Sequence, residues 1–156
     1  MDISLNPSRK MGRELLNACY FGNDLLALKL IKSGANIHYF DPRDGWTSCH
    51  YAARWGKVKL LNLLCSAGAD VNVRTFERET PLHVASRANR KDTCVWLLSN
   101  KCDPNVLNVN GNRASELTIE DEIKYLCDNF EDFKKRVIEI RRISKEKEQN
   151  EKKDKK

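Results

Sequence analysis

Two stretches decide the fold: GWTSCHYAARWGKVKLLNLLCSAGADVN at 45–72 and RETPLHVASRANRKDTCVWLLSNKCDPN at 78–105. Aligned with each other they keep a constant offset of 33 residues, which holds for Thr47/Thr80, His50/His83, Ala52/Ala85, Leu64/Leu97, Asp70/Asp103 and Asn72/Asn105. An upstream copy, RELLNACYFGNDLLALKLIKSGANI, and a diverging downstream copy from NVNGNRASEL extend the pattern over 12–129. A unit this small cannot bury its apolar face alone, so the period predicts a stack of repeats.

Each unit has the pattern of a helix, a turn and a second helix. Thr80-Pro81 predicts a helix start, because a hydroxyl caps the first turn and proline fits the first helical position. The first helices are predicted to end at Gly22, Gly56 and Asn89, the residue types best suited to a left-handed C-terminal position. The second helices carry an apolar stripe. Its members are Leu26, Leu30, Ile31, Leu60, Leu61, Leu64, Val95, Leu97 and Leu98.

The period, with TPLHVA at 80–85 and GADVN at 68–72, resembles the ankyrin repeat. The resemblance predicts an all-α fold, an ankyrin-repeat α-solenoid of about four helix–turn–helix repeats followed by a long C-terminal helix. The predicted boundaries are an N-terminal arm at 1–11, repeats at 12–40, 41–74, 75–107 and 108–129, and a helical extension with a basic charged tail at 130–156. The family further implies a concave surface of loop tips and first helices that usually binds another protein.

Departures from the family pattern predict local weakness. Ser48-Cys49 replaces the preferred Pro-Leu, and Arg78 and Lys101 stand where the family has glycine. A left-handed lysine costs about 1 kcal/mol relative to glycine, so we expect the third repeat to be the least stable.

In the last repeat, polar residues fill the positions that the family gives to threonine, leucine and histidine. These residues are Arg113, Ser115 and Glu116. The terminal repeat of a stack needs a polar outer face, and we expect these side chains to provide one.

The six cysteines and three histidines predict structure rather than chemistry. No cysteine pair has CxxC spacing and no histidine clusters with the cysteines, so we expect no metal. Cys19, Cys49, Cys65, Cys94 and Cys102 fill apolar repeat positions, where a reduced thiol packs as a small hydrophobe. The resemblance makes His50 and His83 structural bridges. Without phosphate-loop, HExxH or nucleophile-elbow motifs, we expect no catalytic residue and no cofactor; a thiol-regulated switch is a weaker alternative.

The positions that vary between ankyrin repeats carry aromatic and arginine side chains, the residue types of interface hot spots. The partner-binding residues predicted here are Tyr20, Phe21, Phe40, Arg43, Trp46, Arg54, Trp55, Arg74, Phe76 and Arg87. Four arginines along one face favour a protein partner with an acidic and apolar segment. The alternative is that some of these aromatic rings pack between repeats, as we expect of Trp96.

From Ile119 onward, apolar residues follow the spacing of one helical face. The early part should pack on the last repeat. A second contact surface is predicted at Phe133, Val137, Ile140 and Ile143, where no repeat core remains. The ending KEKEQNEKKDKK predicts a solvated, charged tail.

Composition and charge exclude several classes of function. The 156 residues suit one domain, contain no long apolar run, and begin without the pattern of a signal peptide, so we expect an intracellular, cytoplasmic protein. A cytoskeletal or nuclear location is the alternative. Of the net charge of +6, residues 141–156 carry +4, so charge does not predict nucleic-acid binding by the body.

The leading hypothesis is a non-catalytic interaction module, an adaptor or a structural subunit of a larger complex. The rival is a cytoskeleton- or nucleic-acid-associated protein anchored by the basic tail.

Overall fold

The computed structural model describes residues 7–132, 134–136, 138–139 and 142, and its regular structure is helical. The α-helices in these residues are α1 (Pro7–Tyr20), α2 (Asp24–Lys32), α3 (Ser48–Arg54), α4 (Val58–Ser66), α5 (Pro81–Arg87), α6 (Lys91–Ser99) and α7 (Asp121–Asp128). A 3-10 turn at Ala114–Leu117 precedes α7. The described residues from Phe130 to Arg142 are again helical. The predicted all-α fold is therefore confirmed.

The helices stack in two layers. α1, α3, α5 and the 3-10 turn contact one another in chain order and form one layer, while α2, α4, α6 and α7 form the other. Each helix also contacts the second member of its own pair. This arrangement is the predicted solenoid, because every unit buries its apolar face only against its own pair and the adjacent units.

The first helices begin as the Thr–His pattern predicts. In α3 and α5 the threonine before the helix lies against the histidine at the third helical position. The backbone N–H of Thr47 donates to Nδ1 of His50 at 3.1 Å, and the N–H of Thr80 donates to Nδ1 of His83 at 3.2 Å. Pro81 occupies the first turn of α5. One backbone donor at each helix start is thus paired inside the protein.

The positions that the repeat pattern gives to glycine or asparagine are left-handed, whichever residue type occupies them. Asn89 follows α5 with φ of 52°, and Lys101 follows α6 with φ of 68°. Arg78, in the loop before α5, has φ of 60°. Glycine serves at the equivalent positions of the other repeats. At Gly45 glycine is required twice over, since φ is 78° and an added Cβ would lie 2.8 Å from the ring of Phe76.

The core lies between the two layers and is made mostly of leucine. Its fully buried members include Leu15, Leu60, Leu61, Leu64, Leu82, Leu97 and Leu98. Cys19, Cys49, Cys94, Cys102 and Cys127 are also buried, as their repeat positions predict, whereas Cys65 is half-buried. Trp96 is half-buried and packs against this core. Leu26 is the exception in the predicted stripe, because α2 has no preceding repeat to cover it and the side chain is exposed.

Both ends of the stack differ from their predicted form. At the N-terminal end, α1 begins at Pro7, inside the segment predicted as an arm. In the last repeat the first helix is reduced to the 3-10 turn, and Ser115 is buried, so the predicted polar outer face is wrong at that residue. Arg113 and Glu116 are exposed as predicted. The backbone N–H of Arg113 donates to the Glu116 carboxylate at 2.5 Å and closes the turn.

The apolar face predicted from Ile119 onward is interrupted rather than continuous. Ile123, Leu126, Cys127 and Phe130 are buried against the last repeat, as expected. A turn at Asn129 separates α7 from the helical residues that follow. The Asn129 side chain donates to the carbonyl of Tyr125 at 3.0 Å, and the backbone N–H of Asn129 donates to the same carbonyl at 3.0 Å.

Candidate protein-binding face

The loop tips form one row because each tip is bonded to the preceding one. The N–H of Phe76 donates to the carbonyl of Asp44 at 2.9 Å, and the N–H of Val109 donates to the carbonyl of Glu77 at 3.0 Å. The donors are equivalent residues of successive repeats. The loops therefore stand at a repeating spacing beside the first helices, and together they form the face that the resemblance to ankyrin repeats predicts to be concave (the concave face).

The two repeat histidines lock neighbouring loops together. The Nε2 of His50 lies 3.0 Å from the carbonyl oxygen of Glu79, and the Nε2 of His83 lies 3.2 Å from that of Asn112. Because a carbonyl only accepts, Nε2–H is the donor in both rings. Burial lowers the pKa of His50 to about 3 and lowers that of His83. Both imidazoles are thus neutral structural bridges, and both ring nitrogens are occupied.

A continuous aromatic cluster covers the concave side of the first two repeats. The ring centroids of Phe21 and Tyr20 are 4.9 Å apart, those of Tyr20 and Tyr51 5.2 Å, and those of Tyr51 and Trp46 4.9 Å. Tyr20 and Phe21 are exposed, Trp46 is half-buried and Tyr51 is buried. Burial, aided by the carboxylates of Asp44 and Asp41, raises the pKa of the Tyr51 hydroxyl. The cluster thus has an exposed rim on an uncharged floor.

Arg54, at the end of α3, lies over two indole rings. Its guanidinium carbon is 5.9 Å from the ring centroid of Trp46 and 5.7 Å from that of Trp55. The Nε1–H of Trp55 donates to the carbonyl of Tyr20 at 2.9 Å, which fixes this indole against the first repeat. Within the described residues, no carboxylate lies within ion-pair distance of Arg54. A cation over two aromatic faces gains cation–π stabilisation while it remains exposed to solvent.

Two adjoining cavities open beside this cluster. The first, about 330 Å³, is lined by Tyr20, Arg43, Asp44, Trp46, Tyr51 and Arg54. The second, about 230 Å³, is lined by Leu16, Asn17, Tyr20, Phe21, Asp41, Arg43 and Tyr51. Tyr20, Arg43 and Tyr51 line both, so the two cavities share a wall.

Arg43 is exposed, but its charge is already compensated. Its guanidinium donates to both carboxylate oxygens of Asp41, with a shortest distance of 2.6 Å. The hydrogen bonds from Arg43 lower the pKa of Asp41, and the same pairing raises that of the guanidinium. Asp41 also accepts the backbone N–H of Arg43 at 3.0 Å. Arg43 therefore forms part of the wall of both cavities but adds little net charge to them.

Arg87 is paired in the same way. Its guanidinium contacts the carboxylate of Glu79, whose side chain is only 4% exposed, and the Asn108 side chain lies 3.4 Å from the same carboxylate oxygen. The four predicted arginines thus fall into two groups. Arg43 and Arg87 are bound to carboxylates of the chain, whereas Arg54 and Arg74 have no ion pair within the described residues.

The structure therefore brings most of the predicted site residues together. Tyr20, Phe21, Arg43, Trp46, Arg54 and Trp55 form one continuous surface. Phe40 and Phe76 form a second, smaller pair on the loop tips, with ring centroids 6.2 Å apart. Arg74 is exposed on the loop before α5. The second contact surface, Phe133, Val137, Ile140 and Ile143, lies outside the described residues.

Sequence reasoning missed the two acids and the tyrosine that complete the site. Asp41 and Asp44 lie two residues before Arg43 and Trp46, and each accepts the backbone N–H of that residue at 3.0 and 2.9 Å. An aspartate whose side chain accepts the backbone N–H two residues later forms an Asx turn, and aspartate is a residue type typical of such turns, so these two turns could have been predicted from the sequence. Tyr51 directly follows the repeat histidine, and nothing in the period distinguishes it from the apolar Val84 of the next repeat.

The cysteines have no arrangement for metal binding within the described residues. Burial raises the pKa of Cys19, Cys94 and Cys102 to about 12 and that of Cys127 to about 11. A hydrogen bond with Cys49 lowers the pKa of the half-buried Cys65. The buried thiols thus serve as packing groups.

A larger cavity, about 460 Å³, opens at the other end of the stack, between residues 98–105 on one side and residues 127–132 with Lys134 on the other. It contains none of the predicted partner-binding residues. No helix among the described residues is long and apolar enough to cross a membrane.

The two-layer stack and the row of loop tips define a helical repeat protein. The family model for ankyrin repeats matches residues 15–108 with three copies, and the chain belongs to the ankyrin repeat family. This family is a non-enzymatic interaction fold.

Three curated proteins illustrate the relationship. Protein phosphatase 1 regulatory subunit 12A of Mus musculus is 37% identical over 84 residues, 54% of this chain and 8% of that protein. BCL-6 corepressor-like protein 1 of Homo sapiens is 30% identical over 115 residues, 73% of this chain and 6% of that protein. Ankyrin repeat and SOCS box protein 6 of Mus musculus is 32% identical over 102 residues, 64% of this chain and 24% of that protein. The chain thus matches only a small part of each relative.

Proposed function

We propose that this chain is a non-catalytic interaction module, an adaptor or a structural subunit of a larger assembly, that binds a protein partner on its concave face. The observation that carries the proposal is the continuous aromatic cluster of the first two repeats, with Arg54 over it and two cavities beside it. Exposed aromatic rings with arginine are enriched at the centres of protein interfaces. The relatives named as a regulatory subunit and a corepressor-like protein support a role in complexes.

The positions of the histidine and cysteine side chains, which perform catalysis in many enzymes, support a non-catalytic role. The rings of His50 and His83 are buried, neutral and bonded through both nitrogens, so neither is available to a substrate. Five of the six free cysteines are buried, with no hydroxyl–imidazole pair opening into the concave cavities. We expect the protein to act inside the cell, where its free thiols stay reduced.

The test compares partner capture by variants that alter only the exposed rim. Trp46 and Trp55 are unsuitable for truncation, because Trp46 packs on the core and Trp55 is bonded to the first repeat. A Phe21→Ser/Phe76→Ser double variant removes two exposed rings of the concave face. Tyr125→Ser removes an equally exposed ring from α7 and is the matched control. Quantitative mass spectrometry after affinity capture should show a partner recovered by the control but reduced at least about tenfold by the double variant.

Equal recovery with the double variant and the control would contradict the proposal. A second variant, lacking residues 144–156, separates it from tail-mediated anchoring to a filament or a nucleic acid. The concave-face proposal expects capture to survive this deletion. Anchoring by the tail instead expects capture to disappear with the deletion and to fall steeply as salt rises.

A further inference from the structure

Arg54 differs from the other arginines of the concave face in how it is held. Arg43 and Arg87 each contact a carboxylate of the chain, whereas Arg54 contacts the ring faces of Trp46 and Trp55. Cation–π attraction to two rings favours this position of the guanidinium but does not use its N–H groups as hydrogen-bond donors. An arginine held in this way loses little conformational entropy when an anion binds to it.

The larger of the two concave cavities, about 330 Å³, carries a positive charge on one wall and a negative charge on another. Arg54 lies on this cavity without an ion pair, and Arg43 is neutralised by Asp41. Asp44 supplies the opposing charge and is held in place, because one of its carboxylate oxygens accepts the N–H of Trp46 at 2.9 Å. Arg54 and Asp44 are not within ion-pair distance of each other. An acidic group is therefore attracted to the Arg54 side and repelled from the Asp44 side, which fixes the direction of a bound segment.

The adjoining cavity offers a site for an apolar side chain. Its walls include Leu16, the exposed ring of Phe21 and the buried ring of Tyr51. Its charged members, Asp41 and Arg43, are already paired with each other, so they do not compete for a partner. Aromatic walls around a preformed cavity are typical of positions where one partner side chain contributes much of the affinity.

We propose that Arg54 binds the carboxylate of an aspartate or glutamate in the partner, while a neighbouring large apolar side chain of the same segment enters the cavity between Phe21 and Tyr51. The inference rests on the proposed function and states the chemistry of its partner. The expected ligand is thus a segment with an acidic and an apolar side chain, bound by the first two repeats and not by the C-terminal tail.

The experiment uses the full chain and a phage-displayed library of random linear peptides as the probe. Selection on the wild-type protein should enrich peptides that carry an acidic residue beside a leucine, phenylalanine or similar side chain. The enriched peptide, its acid-to-amide version and its apolar-to-alanine version are then synthesised. Their affinities are measured by the change in indole fluorescence, since two of the three tryptophans of the chain contact Arg54.

Three variants localise the binding. Arg54→Gln should weaken the acidic peptide by roughly tenfold to a hundredfold, the usual loss for a charge-assisted hydrogen bond. The same substitution should leave the affinity for the amide version of the peptide unchanged. Arg54→Lys keeps the charge but loses the planar fork, so it should restore only part of the affinity. Lys59→Gln removes the same charge from an exposed position on α4 and should have no effect.

The outcomes separate the inference from the proposed function. If enriched peptides bind the concave face, as shown by loss with Phe21→Ser/Phe76→Ser, but lack an acid or ignore Arg54→Gln, this inference is overturned and the proposed function stands. If no peptide is enriched, or if the enriched peptides ignore every concave-face variant, both are overturned. Loss of the acidic peptide with Arg54→Gln and not with Lys59→Gln supports both.

Discussion

Among the residues that the structure describes, three other than glycine adopt left-handed backbone conformations, and each lies near the start or end of a helix. Asparagine is one of the residue types that adopt this region more readily, and the Asn89 side-chain oxygen accepts the Thr118 hydroxyl at 2.8 Å, whereas Arg78 and Lys101 are not of such a type. The sequence predicted Lys101 as a weak point because glycine stands there in the other repeats. The observed φ of 68° is the conformation on which that expectation depended.

Lys101→Gly should therefore stabilise the protein by about 0.5–1 kcal/mol, because glycine adopts this conformation without steric strain. The carbonyl of Lys101 accepts the Asn72 side chain at 3.1 Å, and the substitution keeps this bond. Urea unfolding followed by circular dichroism measures the change. Lys101→Ala is the control, since alanine keeps the strain and should leave the stability nearly unchanged. A gain from alanine as large as from glycine would show that backbone strain is not the cause.

The buried imidazole of His50 should make the fold sensitive to mild acid. Its folded pKa of about 3 lies below the unfolded value of about 6.5, so the unfolded chain binds a proton first as the pH falls. The stability is fully present above pH 6.5 and decreases toward pH 3. Between pH 7 and about pH 5, His50 alone should lower the free energy of unfolding by about 2 kcal/mol.

Urea unfolding at a series of pH values checks this expectation. His83 is buried in the same way and adds to the decrease. A flat stability profile between these pH values would mean that the rings accept a proton without leaving their carbonyl partners.

At the scale of elements, the loop before α5 joins three repeats through one residue. The carbonyl of Glu79 accepts the ring N–H of His50 from the repeat before, and its own backbone N–H donates to the Thr75 hydroxyl at 3.1 Å. The Glu79 carboxylate contacts Arg87 and Asn108. Glu79 is buried, so these bonds supply the partners that a buried carboxylate requires.

Glu79→Ala should lower the free energy of unfolding by about 1–2 kcal/mol, since it leaves Asn108 without this acceptor while the half-exposed Arg87 regains water. Chemical denaturation measures the loss. Glu77→Ala changes an exposed acid two residues away and should alter the stability by less than about 0.5 kcal/mol. Equal effects of the two substitutions would show that the Glu79 carboxylate does not stabilise the contact between these repeats.

The helices could be predicted from the sequence because the same residues recur at each start and end. Thr80-Pro81 and Thr47 mark starts, while glycine, Asn89 and Lys101 mark ends. The extent of α1 and the turn at Asn129 could not be predicted, because the end units lack a neighbour on one side and their period has faded. There, the change of backbone is accompanied by local bonds such as that from the Asn129 side chain to the carbonyl of Tyr125.

At the scale of the whole molecule, the sequence predicted which side chains share the concave face, but it did not predict which of the arginines there are paired with carboxylates. The period places Tyr20, Trp46 and Arg54 on one side, and they meet there. The pairing of Arg43 with Asp41 and of Arg87 with Glu79 depends on side-chain conformations that a repeat pattern does not encode. As a result, four arginines that suggested a broadly basic surface leave Arg54 and Arg74 as its unpaired cations within the described residues.

The histidine bridges also have a consequence for synthesis on the ribosome. The ring of His50 donates to a carbonyl 29 residues later in the chain, and the ring of His83 does the same. Each newly made unit is therefore incomplete until the following loop has left the exit tunnel, and each loop completes the unit before it. Translation from the N-terminus supplies these acceptors in the order in which they are needed, so the growing chain can close its bridges one at a time.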